Sequence, residues 1–368
     1  MKILVSGAGI AGLSTAVNLG ATGHDVTLIE RANHLRVNGS PIDIRGDSIA
    51  VTAKMGVREQ ILAHQIDMTE RAQFVDSTGT VVAQIPLEHM NDSADDIEIP
   101  REDLATILHN KLSSTTQLRF NESIAELSDD PDGVDVRFSS GSEERYDLVV
   151  GADGMHSGTR RLIFGPEQQF LRHLGFYVAL AELPGHMPEG RTNPLYNFPG
   201  HLIGLATYNS TALAVFMFRS PWIEYDYHDL AAQKQILIET YGNHDEWRVP
   251  ELLDAARQDP ELYFDSVSQI HLPAWHQGHV VLVGDAAHCA ANLSGRGTSL
   301  ALTGAWLLTE ALQQHPDDPQ QALAQYEREQ RPHATRGQAT AIPGGDLIVP
   351  ATQEQIDARN RDLSLSRT

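Results

Sequence analysis

The residues of this chain that could do chemistry gather at three glycine-rich turns. The first is Gly7-x-Gly9-x-x-Gly12, set between the apolar run Ile3-Leu4-Val5 and the helically spaced segment from Ile10 to Gly20. Glycine at 7 permits a sharp turn, glycine at 9 lets the backbone approach a pyrophosphate, and glycine at 12 lets a helix pack on a sheet. Ile10 and Ala11 then open the helix, where free amides and a partial positive charge suit an anion. Glu30 ends the next apolar run, Val26 to Ile29, 18 residues after Gly12. A carboxylate there accepts a hydrogen bond from an adenosine ribose hydroxyl and disfavours a 2′-phosphate. Arg31 follows as a further cofactor candidate. The alternative is a purely structural turn. Strand, turn, helix, second strand and terminal acid occur together, however, and point to a dinucleotide, FAD or NAD.

The second turn is Gly284-Asp285-Ala286-Ala287-His288, which follows the run Val280 to Val283 and precedes Gly295-x-Gly297-Thr298. An Asp among small residues at a strand end suits a polyol hydroxyl near a close backbone. The ribityl chain of a flavin offers such hydroxyls, and NAD lacks that chain. The helix from about Gly297 to Gln313 would aim its N-terminus at the flavin pyrimidine edge, which becomes negative on reduction. An ordinary strand-turn-helix is the competing reading. The third turn is Gly151-Ala152-Asp153-Gly154, with Ser157 and Arg160 behind it. Asp153 ends a strand where ligands collect in an open α/β sheet. It fits an Asx cap of a turn as well.

Other reactive types carry less. His271, His276 and His279 lack the spacing of a metal site. Cys289, the single cysteine, reads as a buried thiol and permits no intramolecular disulfide. His288 is expected to order its turn. Phe176, Tyr196, Phe198, Phe216 and Phe218 are core candidates, some of which would line an aromatic pocket.

These turns need strands and helices to hold them. Strands alternating with helices at the start indicate a parallel sheet. A helix broken near Gly56 is expected over 51–65, a hairpin over 71–86, and a helix from Arg101 after Pro100. Apolar and aromatic runs between 174 and 219 read as a second, antiparallel sheet. Helices are expected over 229–241 and 320–331, the latter ended by Pro332. Residues 343–368 read as a loosely held polar tail. The 49 acidic against 27 basic side chains give a formal charge of −22, which disfavours nucleic acid and anionic membrane as partners. The apolar start is explained by the glycine motif rather than by a leader peptide, so a cytoplasmic protein is expected.

Together the three turns resemble the FAD-dependent aromatic hydroxylases of the para-hydroxybenzoate hydroxylase type, a group that includes tetracycline-inactivating monooxygenases. The shared pattern runs through Gly7 to Gly12, Ala16, Leu19, Gly23, Val26 and Glu30. It continues with Arg101-x-x-Leu104, Gly151 to Gly154, Ser157 and Arg160, then Gly284 to His288, Ser294-Gly295-x-Gly297 and Tyr326 with Arg331-Pro332. The resemblance implies an α/β fold: a Rossmann-like FAD-binding domain of the glutathione reductase type, an inserted mixed or antiparallel substrate sheet, and C-terminal helices. The expected cofactor domain is 1–70, 100–170 and 278–335. The expected substrate domain is 71–99 and 171–277, and 336–368 is the C-terminal piece. The resemblance further implies monooxygenation of an aromatic or polyketide-like small molecule with NADPH or NADH, by a monomer or homodimer. A FAD-dependent reductase and, more remotely, a noncatalytic FAD-fold binding protein are the alternatives.

The resemblance assigns roles. Gly7, Gly9, Gly12 and Glu30 would hold the ADP half of FAD. Arg101 would reach the pyrophosphate or ribityl region, Asp285 the ribityl and pyrophosphate portion, and Gly295 and Gly297 the ring. Asp153 and Gly154 would serve FAD and an approaching nicotinamide. Arg45, in the segment Gly39 to Gly46, is the candidate FAD contact there, and Asp43 a weaker one at the ring edge. Two departures stand out: Asn292 where the family usually has Pro, and Arg296 where it often has Gln. Arg296 would disturb the ring, bind an anionic substrate, or point outward.

Overall fold

Ile3, Leu4 and Val5 are fully buried because their strand, Lys2–Ser6, runs through the middle of a six-stranded sheet. The computed structural model describes residues 1–35, 40–67, 72–86, 92–184 and 192–365. Across this sheet the strands run His276–Gln277, Val280–Leu282, Leu148–Gly151, Lys2–Ser6, Asp25–Glu30, Gln117–Phe120. Neighbours are parallel except the first pair, which is antiparallel. A parallel sheet is covered on both faces, so its strands are continuously apolar rather than alternating. The helices Ile10–Ala21 and Gly297–Gln314 pack on each other beside it.

The second sheet has seven strands, ordered Tyr263–Ile270, Leu171–Glu182, Thr211–Arg219, His201–Tyr208, Asn193–Phe198, Ala72–Val75, Val81–Gln84. It is antiparallel except where Asn193–Phe198 meets Ala72–Val75. Alternate residues point to opposite faces. Tyr177 and Ala179 join the apolar cluster under the helices Leu230–Tyr241 and Val249–Gln258. Phe176 and Val178 join the cluster on the other face, with Ala291, Ala341 and Leu363. Burying each such large side chain is worth about 1.5–3 kcal/mol. A short pair, Ile42–Ile44 with Ile97–Ile99, and a three-stranded meander complete the strands described. The hairpin, the Gly56 break (φ +68) and the helix Arg101–Asn110 stand where the sequence placed them.

Two expectations fail at the C-terminus. The helix does not end at Pro332: it runs Pro319–Ile348 through Pro332 and Pro343. An internal proline removes a backbone bond and costs about 3 kcal/mol. Packing offsets that cost, because Gly337 lies against Ala290, Arg296 and Leu300, while Ala341 and Gly345 lie against Leu293 of the turn Asn292–Ser294 and Phe176 of the second sheet. A β-carbon at Gly345 would lie 2.7 Å from the Phe176 ring. Nor are residues 343–365 a loose tail; 366–368 lie outside the described residues. A further helix, Gln353–Leu365, packs on Val81–Gln84 and Asn193–Phe198 with Ile356 and Leu363 buried. Ile356, Ala358, Leu363 and Leu365 are too sparse in an otherwise polar helix to give a readable period.

Candidate active site

The first turn has the geometry its glycines suggest. Gly7 sits at φ +102, and a β-carbon there would meet the Ala152 carbonyl oxygen at 2.6 Å. One at Gly12 would lie 1.8 Å from the Gly7 carbonyl oxygen. At Gly9 a β-carbon meets nothing within 4 Å, so this glycine faces open space. The helix beginning at Ile10 has no side-chain cap, and its first backbone bond runs from the Leu13 N–H to the Gly9 carbonyl. The amides of Ile10, Ala11 and Gly12 precede that bond and are the helix's open donors. Glu30 accepts from the Ala8 and Ala32 N–H groups, each at 2.9 Å. A carboxylate has about four acceptor positions, so capacity for a ribose hydroxyl remains. Arg31 stands exposed beside it.

The other two turns close around the first. Gly284, at φ +60, would place a β-carbon 2.7 Å from that of Ala11. Arg160 is fully buried and ties the third turn to the second: it donates to the Ala286 carbonyl at 3.0 Å and to the Met155 carbonyl at 2.6 Å. Its charge is met by Glu167 at 2.6 Å. Asp153 has a structural task here. Its carboxylate accepts from the Ser157 hydroxyl and from the Thr159 N–H and hydroxyl, which braces the start of the helix Gly158–Phe164, whose N-cap is Ser157. Asp285 faces open space yet is ringed by protein atoms. That desolvation raises its carboxyl above the usual range, and the Arg101 guanidinium opposes the rise. Tyr263, its ring about half exposed, shares this neighbourhood: crowding by the surrounding protein raises its hydroxyl, the Asp265 carboxylate adds to the rise and the Arg101 guanidinium opposes it.

Gly295 adopts the left-handed conformation at φ +60, and the helix Gly297–Gln314 again starts without a side-chain cap. A β-carbon at Gly297 meets nothing within 4 Å. Thr298 is half-buried in the first turn of that helix. The Arg45 N–H donates to the Ser299 hydroxyl at 2.9 Å, and the Arg45 guanidinium lies 2.9 Å from Asp43. A β-carbon at Gly295 would meet both side chains, at 3.4 and 3.5 Å. Gly39, at the head of that segment, lies outside the described residues. Arg296 does not reach into free space: its guanidinium forms a bidentate pair with Asp92.

Several candidates take no part. His276 pairs with Glu327 at 3.1 Å and His279 with Asp129 at 2.8 Å, while His271 bonds Gln269 at 2.9 Å. Burial holds His288 neutral, with its imidazole pulled down to about 4, and it packs on Trp275. Burial likewise pushes the Cys289 thiol up, away from nucleophilic character. Tyr196, Phe198, Phe216 and Phe218 lie under the helices, and of the five aromatics only Phe176 lies on the other face. Sequence reading missed Asp92, Asp96, Ser299 and Tyr263. They carry no local motif and meet the turns only through the fold.

FAD fits these residues. Two uncapped helix N-termini stand at glycines that face open space, and Glu30 and Asp285 supply acceptors for hydroxyls. Fold and site define a protein that holds a dinucleotide across the carboxyl ends of a parallel sheet. The family model described as "FAD binding domain" matches residues 1–172 and 265–340. An uncharacterized protein of Mycobacterium tuberculosis is 36% identical over 363 residues, which covers 96% of each chain. A flavin-dependent monooxygenase of Legionella longbeachae is 35% identical, over 85% of this chain and 80% of that one. Among solved structures, the tetracycline destructase Tet(55) superposes with a TM-score of 0.85 at 32% identity, covering 99% of this chain and 94% of that one. The chain belongs to the FAD-dependent monooxygenases of the FAD binding domain family.

Proposed function

We propose that this enzyme uses NADPH or NADH and dioxygen to hydroxylate a flat, largely apolar small molecule of aromatic or polyketide type. What supports the substrate class is the likeness over 99% of the chain to the tetracycline destructase Tet(55), whose name gives a flat, fused-ring substrate. When bound, FAD supplies the redox chemistry, taking up hydride and activating dioxygen.

The chain's own residues bind and orient. Gly7, Gly9, Ile10, Ala11 and Gly12 present backbone to the pyrophosphate, and Glu30 receives the adenosine ribose. Arg31 and Arg101 supply positive charge to the same cofactor. Asp285 takes a ribityl hydroxyl, and Gly295, Gly297 and Thr298 direct a helix N-terminus at the pyrimidine edge. Arg45 is the contact from the strand side. Asp153 serves through the turn that it braces at Ser157 and Thr159. The requirement for a nicotinamide donor favours the cytoplasm as the working place. No helix among the described residues is long and apolar enough to cross a membrane.

The test is product mass under isotopically labelled dioxygen, with FAD, NADPH and then NADH, against phenols and polycyclic polyketides. One labelled oxygen in a product is expected. An altered but unlabelled product would transfer the assignment to a FAD-dependent reductase.

A further inference from the structure

Five charged side chains from three segments form a ring beside the glycine loop. Arg296 leads into the helix Gly297–Gln314, and both of its terminal nitrogens are taken by the two carboxylate oxygens of Asp92. Asp92 opens a turn that Asp96 holds: the Asp92 N–H donates to Asp96 Oδ2 at 2.7 Å, and the Ser93 hydroxyl donates to Oδ1 at 3.1 Å. The Asp96 side chain is 4% exposed and lies 3.9 Å from Arg45 Nε. Arg45 in turn holds Asp43 at 2.9 Å. The ring closes where the Arg45 N–H meets Ser299 and where Gly295 lies against Arg45 and Asp43.

An isolated exposed ion pair contributes little to stability, about 0–1 kcal/mol. This one differs in geometry. It is bidentate, which fixes direction as well as distance. It joins residues 204 apart in sequence, with the Arg296 side chain 22% and the Asp92 side chain 40% exposed. Both ends are anchored, one by the helix start and the other by the Asp96 turn. What the pair governs is therefore the placement of the loop Gly295–Gly297 against the strand that carries Asp43 and Arg45. A site binds well only when its supporting shell holds the contacting backbone in place.

We propose that Arg296 and Asp92 are positioning residues for the flavin: their ion pair sets the loop Gly295–Gly297 and, through Asp96, Arg45 in the arrangement that receives the isoalloxazine ring. Affinity for FAD depends on the pair, and folding of the chain does not.

The experiment uses the full chain freed of FAD, titrated with FAD and followed by quenching of flavin fluorescence. Arg296→Ala and Asp92→Ala are each expected to weaken FAD binding about tenfold. The double variant is expected to be no worse than either single, because both remove one interaction. Arg296→Lys keeps the charge without the fork, and about threefold weaker binding is expected. The visible absorbance of bound flavin should shift in the alanine variants, while the melting temperature of the FAD-free chain stays within about two degrees. Unchanged FAD affinity in both singles would overturn the proposal, and so would an additive double variant near a hundredfold. Melting that falls in step with affinity would assign the pair to folding instead. Should an alanine variant fail to fold, the lysine variant decides, and wild-type affinity and absorbance there would overturn the proposal.

Discussion

Two glycines three positions apart in the first turn, Gly9 and Gly12, face opposite constraints. At Gly12 a β-carbon would lie 1.8 Å from the Gly7 carbonyl oxygen, whereas at Gly9 it would meet nothing. Substitution should therefore separate folding from binding. Gly12→Ala is expected to destabilise the FAD-free chain by about 1–3 kcal/mol through overpacking. Gly9→Ala should leave the melting temperature near wild type yet raise the FAD dissociation constant at least about tenfold, because the methyl occupies the approach of the pyrophosphate. Thermal melts of the FAD-free protein and FAD titrations check both halves. Equal loss of stability in the two variants would sink the distinction. At this scale the sequence was legible, since a glycine motif states its backbone requirement within six residues. Asp153 was less so. A cap and a ligand role both suit an Asp beside glycine, and only the Ser157 and Thr159 contacts show where its oxygens go.

Among the elements, the C-terminal helices depend most on their surroundings. Arg359, in the helix Gln353–Leu365, is buried over the Phe74 ring, with its guanidinium carbon 3.5 Å from the centroid. It donates to Asn197 Oδ1 at 3.0 Å and to the Leu347 carbonyl at 3.1 Å, both neutral acceptors. Burial pulls its ionisation down to about 10. Arg359→Ala leaves those acceptors unpaired and should cost about 1–3 kcal/mol in a denaturant unfolding series. Arg359→Lys should recover only part, because an ammonium lacks the planar fork that spans both acceptors. A full recovery would show that charge alone holds the helix. Neither this helix nor the passage through Pro332 and Pro343 could be read locally. The stabilising contacts lie on the second sheet and on the turn Asn292–Ser294, and tertiary packing overrode the local signals.

At the scale of the whole molecule, His156 joins the two sheets. It follows the third turn, lies 2.9 Å from Glu167 and 3.5 Å from Asp265 of the second sheet, and stacks on Tyr227 at 4.4 Å. Burial alone would lower its pKa, but hydrogen bonds and charges from Asp265 and Glu167 outweigh it and raise it to about 9. The unfolded value is 6.5, so the folded state binds the proton more tightly. Its stabilisation is complete below about pH 6.5 and is lost as pH rises through about 9. The linkage amounts to at most about 3 kcal/mol before allowance for screening at a partly exposed site. Melting temperature measured from pH 6 to 10 should fall over that window in wild type and less steeply in His156→Gln. Parallel slopes would reject the assignment.

The sequence by itself determined the parallel cofactor sheet, the glycine turns, the terminal acid Glu30 and the second sheet, because each is written in short-range spacing of apolar, small and acidic residues. Tertiary structure alone decided which distant side chains meet: Arg296 with Asp92, Arg45 with Ser299, Arg160 with the Ala286 carbonyl. It also decided that prolines would be carried inside a helix and that the polar helix Gln353–Leu365 would be packed. The physical reason is the same in each case. A hydrogen bond or ion pair between residues more than a hundred positions apart leaves no period or spacing in the sequence, and exists only once the chain has brought both partners to one place.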